Sequence, residues 1–465
     1  MDNKLIFSVM IDRLKKSVFI LSVFILFSNI NMVAQSAKKS KPNVIIIYTD
    51  DLGYGDLSSY GNPTIKTPML DKMAYEGMKF SQFYVAAPVC TPSRAALLTG
   101  SYPKRVGLHK HVLFPDSTTG LNPKEETIAD LLKENGYTTA CIGKWHLGHQ
   151  SKFSPLNQGF DSFYGIPFSN DMSKKEQDIM RKKKTNYKYN LPLIKGKDTI
   201  GFDPDQRQFT KDFTEKSIAF IKSNKIKPFF LYLAHPMPHV PIYASSDFTG
   251  KSIRGAYGDT IEEIDWSVGE IMKTLKSLNI DENTLVLFTS DNGPHQEGGA
   301  DPKYFNSNGK LKGVKRDLYE GGIRIPMIAN WPGKIKPNST SNHISAFWDF
   351  LPTVCEIAQV NTPENIDGIS FLPELIGKKQ KEHDYLYWEF HEQGGKQAVR
   401  LGDWKGIRLK MNTNPNAPIE LYNLANDIGE EYNIASKNPE IVKKISEIMD
   451  NEHSQSKEFS FGYEK

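Results

Sequence analysis

Residues 43–51 read NVIIIYTDD. The run Val44-Ile45-Ile46-Ile47 has no polar alternation, so a strand built from it is apolar on both faces. Such a strand belongs inside a parallel sheet that helices cover on each side. It then stops at two adjacent acids, Asp50 and Asp51. Open α/β sheets place their ligand sites beyond the carboxyl ends of their strands. This one stretch therefore sets the fold class and the place to look for chemistry.

Outward from it, the same rhythm repeats. TPMLDKMAYEGM, from Thr67, predicts a helix with a Thr cap, Pro in the first turn and Gly near the end. ETIADLLKENG predicts another, ended by Gly136, and YTTACIG follows as a strand. The helical DFTEKSIAFIKSN precedes the strand PFFLYLAH, and TIEEIDWSVGEIMKTLKSL precedes NTLVLFTSDNG. Alternating helices and buried strands predict an α/β fold: a large mixed, mostly parallel sheet flanked by helices.

Two regions break the rhythm. Residues 171–208 are rich in Lys, Asn and Gly and contain RKKKTNYKYN. They read as a solvated insertion loop or as a basic flap over an anionic substrate. Beyond residue 380, YLYWEF, KQAVRLGDWKGIRL and IELYNL read as short strands of a small antiparallel sheet, followed by a helix from Pro439 to about His453. The expected division is a signal peptide at 1–36, a catalytic domain at 37–379 and a C-terminal subdomain at 380–465.

The signal peptide is expected from Lys15 and Lys16 before SVFILSVFILF, and from the small residues Ala34 and Ser36 at a cleavage site. That run is too short to span a bilayer comfortably, so no integral span is expected after cleavage. The product is expected to be exported, periplasmic or secreted. The formal charge of the 465 residues is +4. Lys4, Arg13, Lys15 and Lys16 against Asp2 and Asp12 put +2 in the first 36 residues, leaving +2 for the rest. A nearly neutral body gives no footing for nucleic acid. Three cysteines are present. Cys141 and Cys355 lie in apolar stretches and read as buried thiols rather than a bridge.

Polar residues gather at the predicted strand ends. Asp50 and Asp51 end one strand, and Lys144 and His146 follow another in GKWHLG. His235 and His239 lie in AHPMPHVP after a third, and Asp291 and Asn292 in SDNG after a fourth. Cys90 opens CTPSRAALLTG, which adds Arg94 at a helix start. Three carboxylates and an amide suit a hard cation, calcium or magnesium, and there is no pair of zinc spacing. Arg94, Lys144, Lys315 and the histidines suit an oxyanion with several negative oxygens. Sulfuryl or phosphoryl transfer, with a metal polarising one oxygen, is the chemistry that uses both sets.

CTPSRAALLTG resembles the signature of the formylglycine-dependent type I sulfatases. NVIIIYTDDLGYGDL, GKWHLG, PHVP, SDNG and LKGVKRDLYEGGIRIP follow in the family's order, spanning roughly 41–335. LGDWKGIR and ELYNLANDIGEEYNIA fit the family's end more loosely. The resemblance implies the alkaline phosphatase-like fold, sulfuric ester hydrolysis, a calcium ion, and oxidation of Cys90 to Cα-formylglycine by a maturation enzyme. The hydrated aldehyde would carry two hydroxyls, one to attack sulfur and one to expel sulfate. The dipole of the helix opened by Cys90 would favour that negative charge.

By the same resemblance, Asp50, Asp51, Asp291 and Asn292 are calcium ligands, with residue 90 near the ion. Lys144 and His146 hold the diol, His146 acting as base, while His239 and Lys315 face the sulfate and the leaving group. Arg94 steadies the oxyanion. His235 reads as a core histidine or a substrate contact. The segments HKHVLFPDSTTG from His109 and WEFHEQGG from Trp388 are candidates for a sugar-binding rim, with core packing the other reading of Trp388. The expected substrate is a sulfated oligosaccharide. A phosphodiester or phosphonate monoester hydrolase of the same superfamily, and a catalytically silent binder of sulfated glycans, are the competing readings.

Overall fold

The computed structural model describes residues 8, 10–13, 41–453 and 461. The apolar run at 17–27 and the cleavage site at 34–36 lie outside the described residues. No described helix is long and apolar enough to cross a membrane. The described residues from 42 onward form one compact unit.

In chain order the main sheet uses β1 (Asn43–Thr49), β2 (Met78–Tyr84), β3 (Thr138–Lys144), β4 (Ser162–Ile166), β5 (Pro192–Lys195), β6 (Asp198–Phe202), β7 (Phe229–Ala234), β8 (Thr284–Ser290), β9 (Arg324–Asn330), β10 (Ser339–Ser341) and β11 (Ser345–Ala346). Their spatial order is β10-β2-β9-β8-β1-β7-β3-β4-β5-β6, with β11 also on β2. The centre is parallel: β1 pairs with β7 and β8, and β3 with β7 and β4. Antiparallel β9 then joins β8 to β2. Every residue of β1 is buried, as its unbroken β-branched run requires.

Helices form two groups. Pro68–Tyr75, Phe209–Asn224 and Gly255–Ser277 pack together, as do Cys90–Thr99, Ile128–Glu134 and Phe350–Ala358. Thr67 does not cap the first of these. Its hydroxyl meets Ser58 Oγ at 2.7 Å instead. The free N–H groups of Met69 and Leu70 donate to Asp265 Oδ1 at 2.9 and 2.7 Å. The cap thus comes from a neighbouring helix, whose carboxylate answers both the orphan donors and the positive helix end.

Residues 171–208 are not a bare loop. Ser173 caps a helix at Lys174–Arg181, its Oγ accepting from Glu176 N at 3.2 Å. β5 and β6 form a hairpin that adds antiparallel strands beyond β4. Gly196, at φ +63°, makes the tight turn. The hairpin lies at the sheet edge and is largely exposed, so no apolar alternation marked it.

The C-terminal part holds β12 (Leu386–Phe390), β13 (Lys396–Leu401), β14 (Trp404–Leu409) and β15 (Ile419–Asn423), an antiparallel sheet in that order. A helix, Pro439–Glu452, follows. Trp388 is core: it is buried, its Nε1 donates to Val85 O at 2.7 Å, and it packs on Tyr84 and Trp348. It therefore cannot line a sugar-binding rim. All three cysteines are free and buried.

Removing the borrowed cap tests this packing. Asp265→Ala strands the buried Leu70 N–H and is expected to cost about 1–3 kcal/mol of stability by chemical denaturation. Activity of the folded fraction should be retained.

Candidate active site

The predicted residues converge at the carboxyl ends of β8, β1, β7 and β3, four neighbours in the sheet. β1 delivers Asp50, and the chain turns at Asp51 with φ +66°. β8 delivers Asp291 and Asn292. Asp291 Oδ1 accepts from Asp51 N at 3.1 Å, and Asn292 Nδ2 donates to Asp51 Oδ1 at 2.7 Å. Asp50, Asp51, Asp291 and Asn292 are all buried.

Three cations balance the three acids. Arg94, fully buried one turn into its helix, reaches Asp50 Oδ2 and Asp291 Oδ2 with Nη2, each at 3.0 Å, and Lys144 O with Nη1 at 2.8 Å. The protein thus uses Arg94 to hold carboxylates. Lys144, the last residue of β3, pairs with Asp50 and donates to Ser169 Oγ at 3.0 Å. Lys315 Nζ lies 2.7 Å from Asp51 Oδ1.

Cys90 opens the helix and is buried. Its Sγ lies 3.5 Å from Asp50 Oδ1, 3.6 Å from Lys144 Nζ and 3.9 Å from Lys315 Nζ. Burial, then the Asp50 charge, push its thiol well above the usual range despite both lysines. A thiol held protonated is a poor nucleophile and a poor metal ligand. As cysteine, the residue is badly suited to the centre it occupies.

The acids titrate apart. Burial opposes ionisation of Asp50 and Asp51, but nearby cations outweigh it. Lys144 and Arg94 hold Asp50 well below the usual range, and Lys315 holds Asp51 at about 2. Burial and the Asp50 charge push Asp291 up to about 7, against Arg94.

Both site histidines are kept neutral, and their bonds fix their tautomers. His146, at φ +58°, meets Leu113 O with Nε2 at 2.9 Å. A carbonyl only accepts, so Nε2 carries the hydrogen and Nδ1 the lone pair. That Nδ1 is buried without a hydrogen-bond partner among the described residues. Burial, then Lys144 and Arg94, depress the ring well below its ordinary value. His239 donates from Nδ1 to Val240 O at 2.5 Å, which leaves Nε2 bare, 3.6 Å from Asp51 Oδ2. Burial and Lys315 depress it as well.

His235 is core. It is buried, and its Nε2 meets Ser267 Oγ, on the Gly255–Ser277 helix, at 3.1 Å. The His109 segment reaches the site through its backbone, by way of Leu113 O. Sequence reasoning missed His295, whose ring centroid lies 5.6 Å from that of His239. Burial lowers it to about 4. Its position three residues beyond Asn292 was the available signal. Thr91 was missed too: its hydroxyl donates to His146 O at 2.8 Å and accepts from Leu113 N at 3.1 Å.

The residues fit a hard cation. Ligand atoms of Asp50, Asp51, Cys90 and His239 all lie within 4.8 Å of one another. Asn292 Oδ1 is buried with no partner among the described residues, and an orphaned amide oxygen beside carboxylates is a calcium-type donor. The same crowding gives Arg94 a structural task as well. Arg94→Met leaves Asp50 and Asp291 short of a counter-charge and should cost about 3–5 kcal/mol in denaturant unfolding.

Comparison with known proteins agrees with this geometry. Residues 42–360 match the family model described as sulfatase, and 313–457 match N-sulphoglucosamine sulphohydrolase, C-terminal. N-acetylgalactosamine-6-sulfatase of Canis lupus familiaris is 37% identical over 384 residues, covering 78% of this chain and 71% of that protein. Human arylsulfatase A is 34% identical over 465 residues, covering 90% and 89%. The crystal structure of Ps i-CgsB in complex with k-i-k-neocarrahexaose superposes with a TM-score of 0.78 at 31% identity, covering 89% and 92%. A charge-balanced pocket at these strand ends, in a chain matched along most of its length, makes this protein a member of the sulfatase family and a sulfuric ester hydrolase.

Proposed function

We propose that the protein removes a sulfate ester from a sulfated glycan, using Cys90 matured to formylglycine and a calcium ion held by Asp50, Asp51, Asp291 and Asn292. The observation that carries this reading is the surroundings of Cys90. Two lysine ammonium groups flank a thiol that burial pushes up, 3.6 and 3.9 Å from its sulfur. When present, formylglycine supplies an oxygen nucleophile and calcium supplies fixed positive charge at the sulfate oxygens.

The chain's own groups do the rest. Lys144 and Lys315 bind and orient the anionic ester from two sides of residue 90. His146 offers the bare Nδ1 as the proton acceptor, held in that tautomer by Leu113 O. His239 offers Nε2 as a second proton-holding atom. Burial of all four excludes water and strengthens each interaction. Support for a glycan comes from the neighbour solved with k-i-k-neocarrahexaose and from a relative named for N-acetylgalactosamine. We take residues 1–36 as an export signal, with the protein acting in the periplasm or outside the cell on a terminal sulfated residue. The catalytic domain is assigned to 37–379 and the C-terminal subdomain to 380–465, and a formylglycine-generating enzyme is the maturation partner.

Cys90→Ala should abolish turnover of sulfated oligosaccharides while the unfolding transition stays close to wild type. Peptide mass spectrometry of active protein should find an aldehyde at residue 90. Activity in the alanine variant, or an unmodified thiol in active enzyme, would sink the proposal.

Calcium binding should depend on pH. Asp291 titrates at about 7, and a proton there competes with the cation. Above that pH the carboxylate is free to bind. Between about pH 7 and 5 the calcium Kd should rise roughly tenfold per unit, the signature of one competing proton. Calorimetric titration across that range reads it directly. A flat profile would remove Asp291 from the ligand set.

A further inference from the structure

We infer that Arg316, oriented by Glu392, forms a second anion subsite at the mouth of the active site, reading a carboxylate or second sulfate on the substrate. This subsite rests on the proposed glycan reading for the nature of its ligand.

Arg316 directly follows Lys315. Its φ is +75°, a conformation uncommon for a long side chain. Contacts on both sides hold it there. Its N–H donates to Pro88 O at 2.9 Å, two residues before Cys90. Its carbonyl accepts from Lys396 Nζ at 2.7 Å, and that buried lysine also reaches Asp317 Oδ1 at 3.2 Å and Gln393 Oε1 at 2.8 Å. Unfavourable backbone kept in place by several contacts is a mark of functional segments.

The side chain is 31% exposed and Glu392 26%, so the pair borders solvent while the catalytic groups do not. Arg316 Nε donates to Glu392 Oε2 at 2.9 Å. Among the described residues, Nη1 and Nη2 make no hydrogen bond. Glu392 thus fixes the guanidinium plane through one donor and leaves the Nη1/Nη2 edge open. That edge matches two oxygens of a carboxylate or sulfate. Arg316 is close enough to Asp51 for that charge to act on it, and it bears on His295. With Lys315 next to it in the chain and its N–H on Pro88 O, Arg316 carries these open donors at the solvent side of the pocket. No other role in the site uses them.

The test compares kcat/KM on phenyl sulfate with that on phenyl sulfates carrying a carboxylate or a second sulfate at each ring position. Wild type should prefer the best anionic member over phenyl sulfate. Arg316→Gln should cut that preference about 10- to 100-fold, the worth of a charge-assisted pair. Arg316→Lys keeps the charge, loses the fork and should fall between. The carboxylate and sulfate arms tell which group is read. A preference absent from wild type, or unmoved in Arg316→Gln, overturns the subsite. The aryl series needs no sugar, so failure of every sulfated sugar to turn over would sink the glycan reading and leave the Arg316 result standing.

Discussion

Three buried carboxylates at the ends of β1 and β8 set the terms for everything around them. Asp50, Asp51 and Asp291 are sealed from solvent, and an uncompensated buried carboxylate is too unfavourable to keep. Each compensating cation comes from a different element: Arg94 from a helix, Lys144 from the end of β3 and Lys315 from the segment before β9. The sheet order β8-β1-β7-β3 is what brings these pieces within hydrogen-bond reach. Losing one cation leaves a buried charge behind, so fold and site share the same constraint.

Much of this was legible in the sequence, for identifiable reasons. The run 44–47 could only be a two-sided buried strand, and it became the central strand of the sheet. Residues at four strand ends converged because parallel strands all end on one edge. The illegible parts depended on contacts distant in sequence. Asp265 caps a helix almost 200 residues upstream, which no local pattern announces. The β5–β6 hairpin packs little apolar surface, so it left no periodic trace. An indole suits a pocket rim or a core equally well until its neighbours are known, and Val85 O decided the case of Trp388. For Arg94 the sequence placed the cation in the pocket, and geometry adds that it clamps two carboxylates.

The C-terminal sheet is tied to the chemistry through the segment that carries Lys315. Lys396 holds Arg316 O, and Tyr319 OH donates to Glu420 Oε2 at 2.6 Å. Lys312 Nζ donates to Glu430 O at 3.0 Å, while Glu430 Oε2 accepts from Glu320 N at 2.7 Å. Beneath them Lys405 bridges Glu320 and Glu430 at 2.8 and 3.2 Å, all buried. A lysine on a free loop would lose entropy each time it bound an anion. Here that ordering belongs to folding, and the ammonium waits in position beside residue 90.

Charge balance explains how such a pocket can fold before it is loaded. Above about pH 7, where Asp291 is ionised, three carboxylates meet one guanidinium and two ammonium groups, while Cys90, His146 and His239 stay neutral, so the sum is zero. A pocket built with three acids alone would oppose its own collapse, and one built with excess cations would do the same. With the sum at zero, each acid meets its counter-charge within the chain itself. A divalent cation held by the acids would leave the pocket at +2, the sign a sulfate ester requires. The lysines that serve folding as counter-ions are thereby already placed for the anion that arrives later.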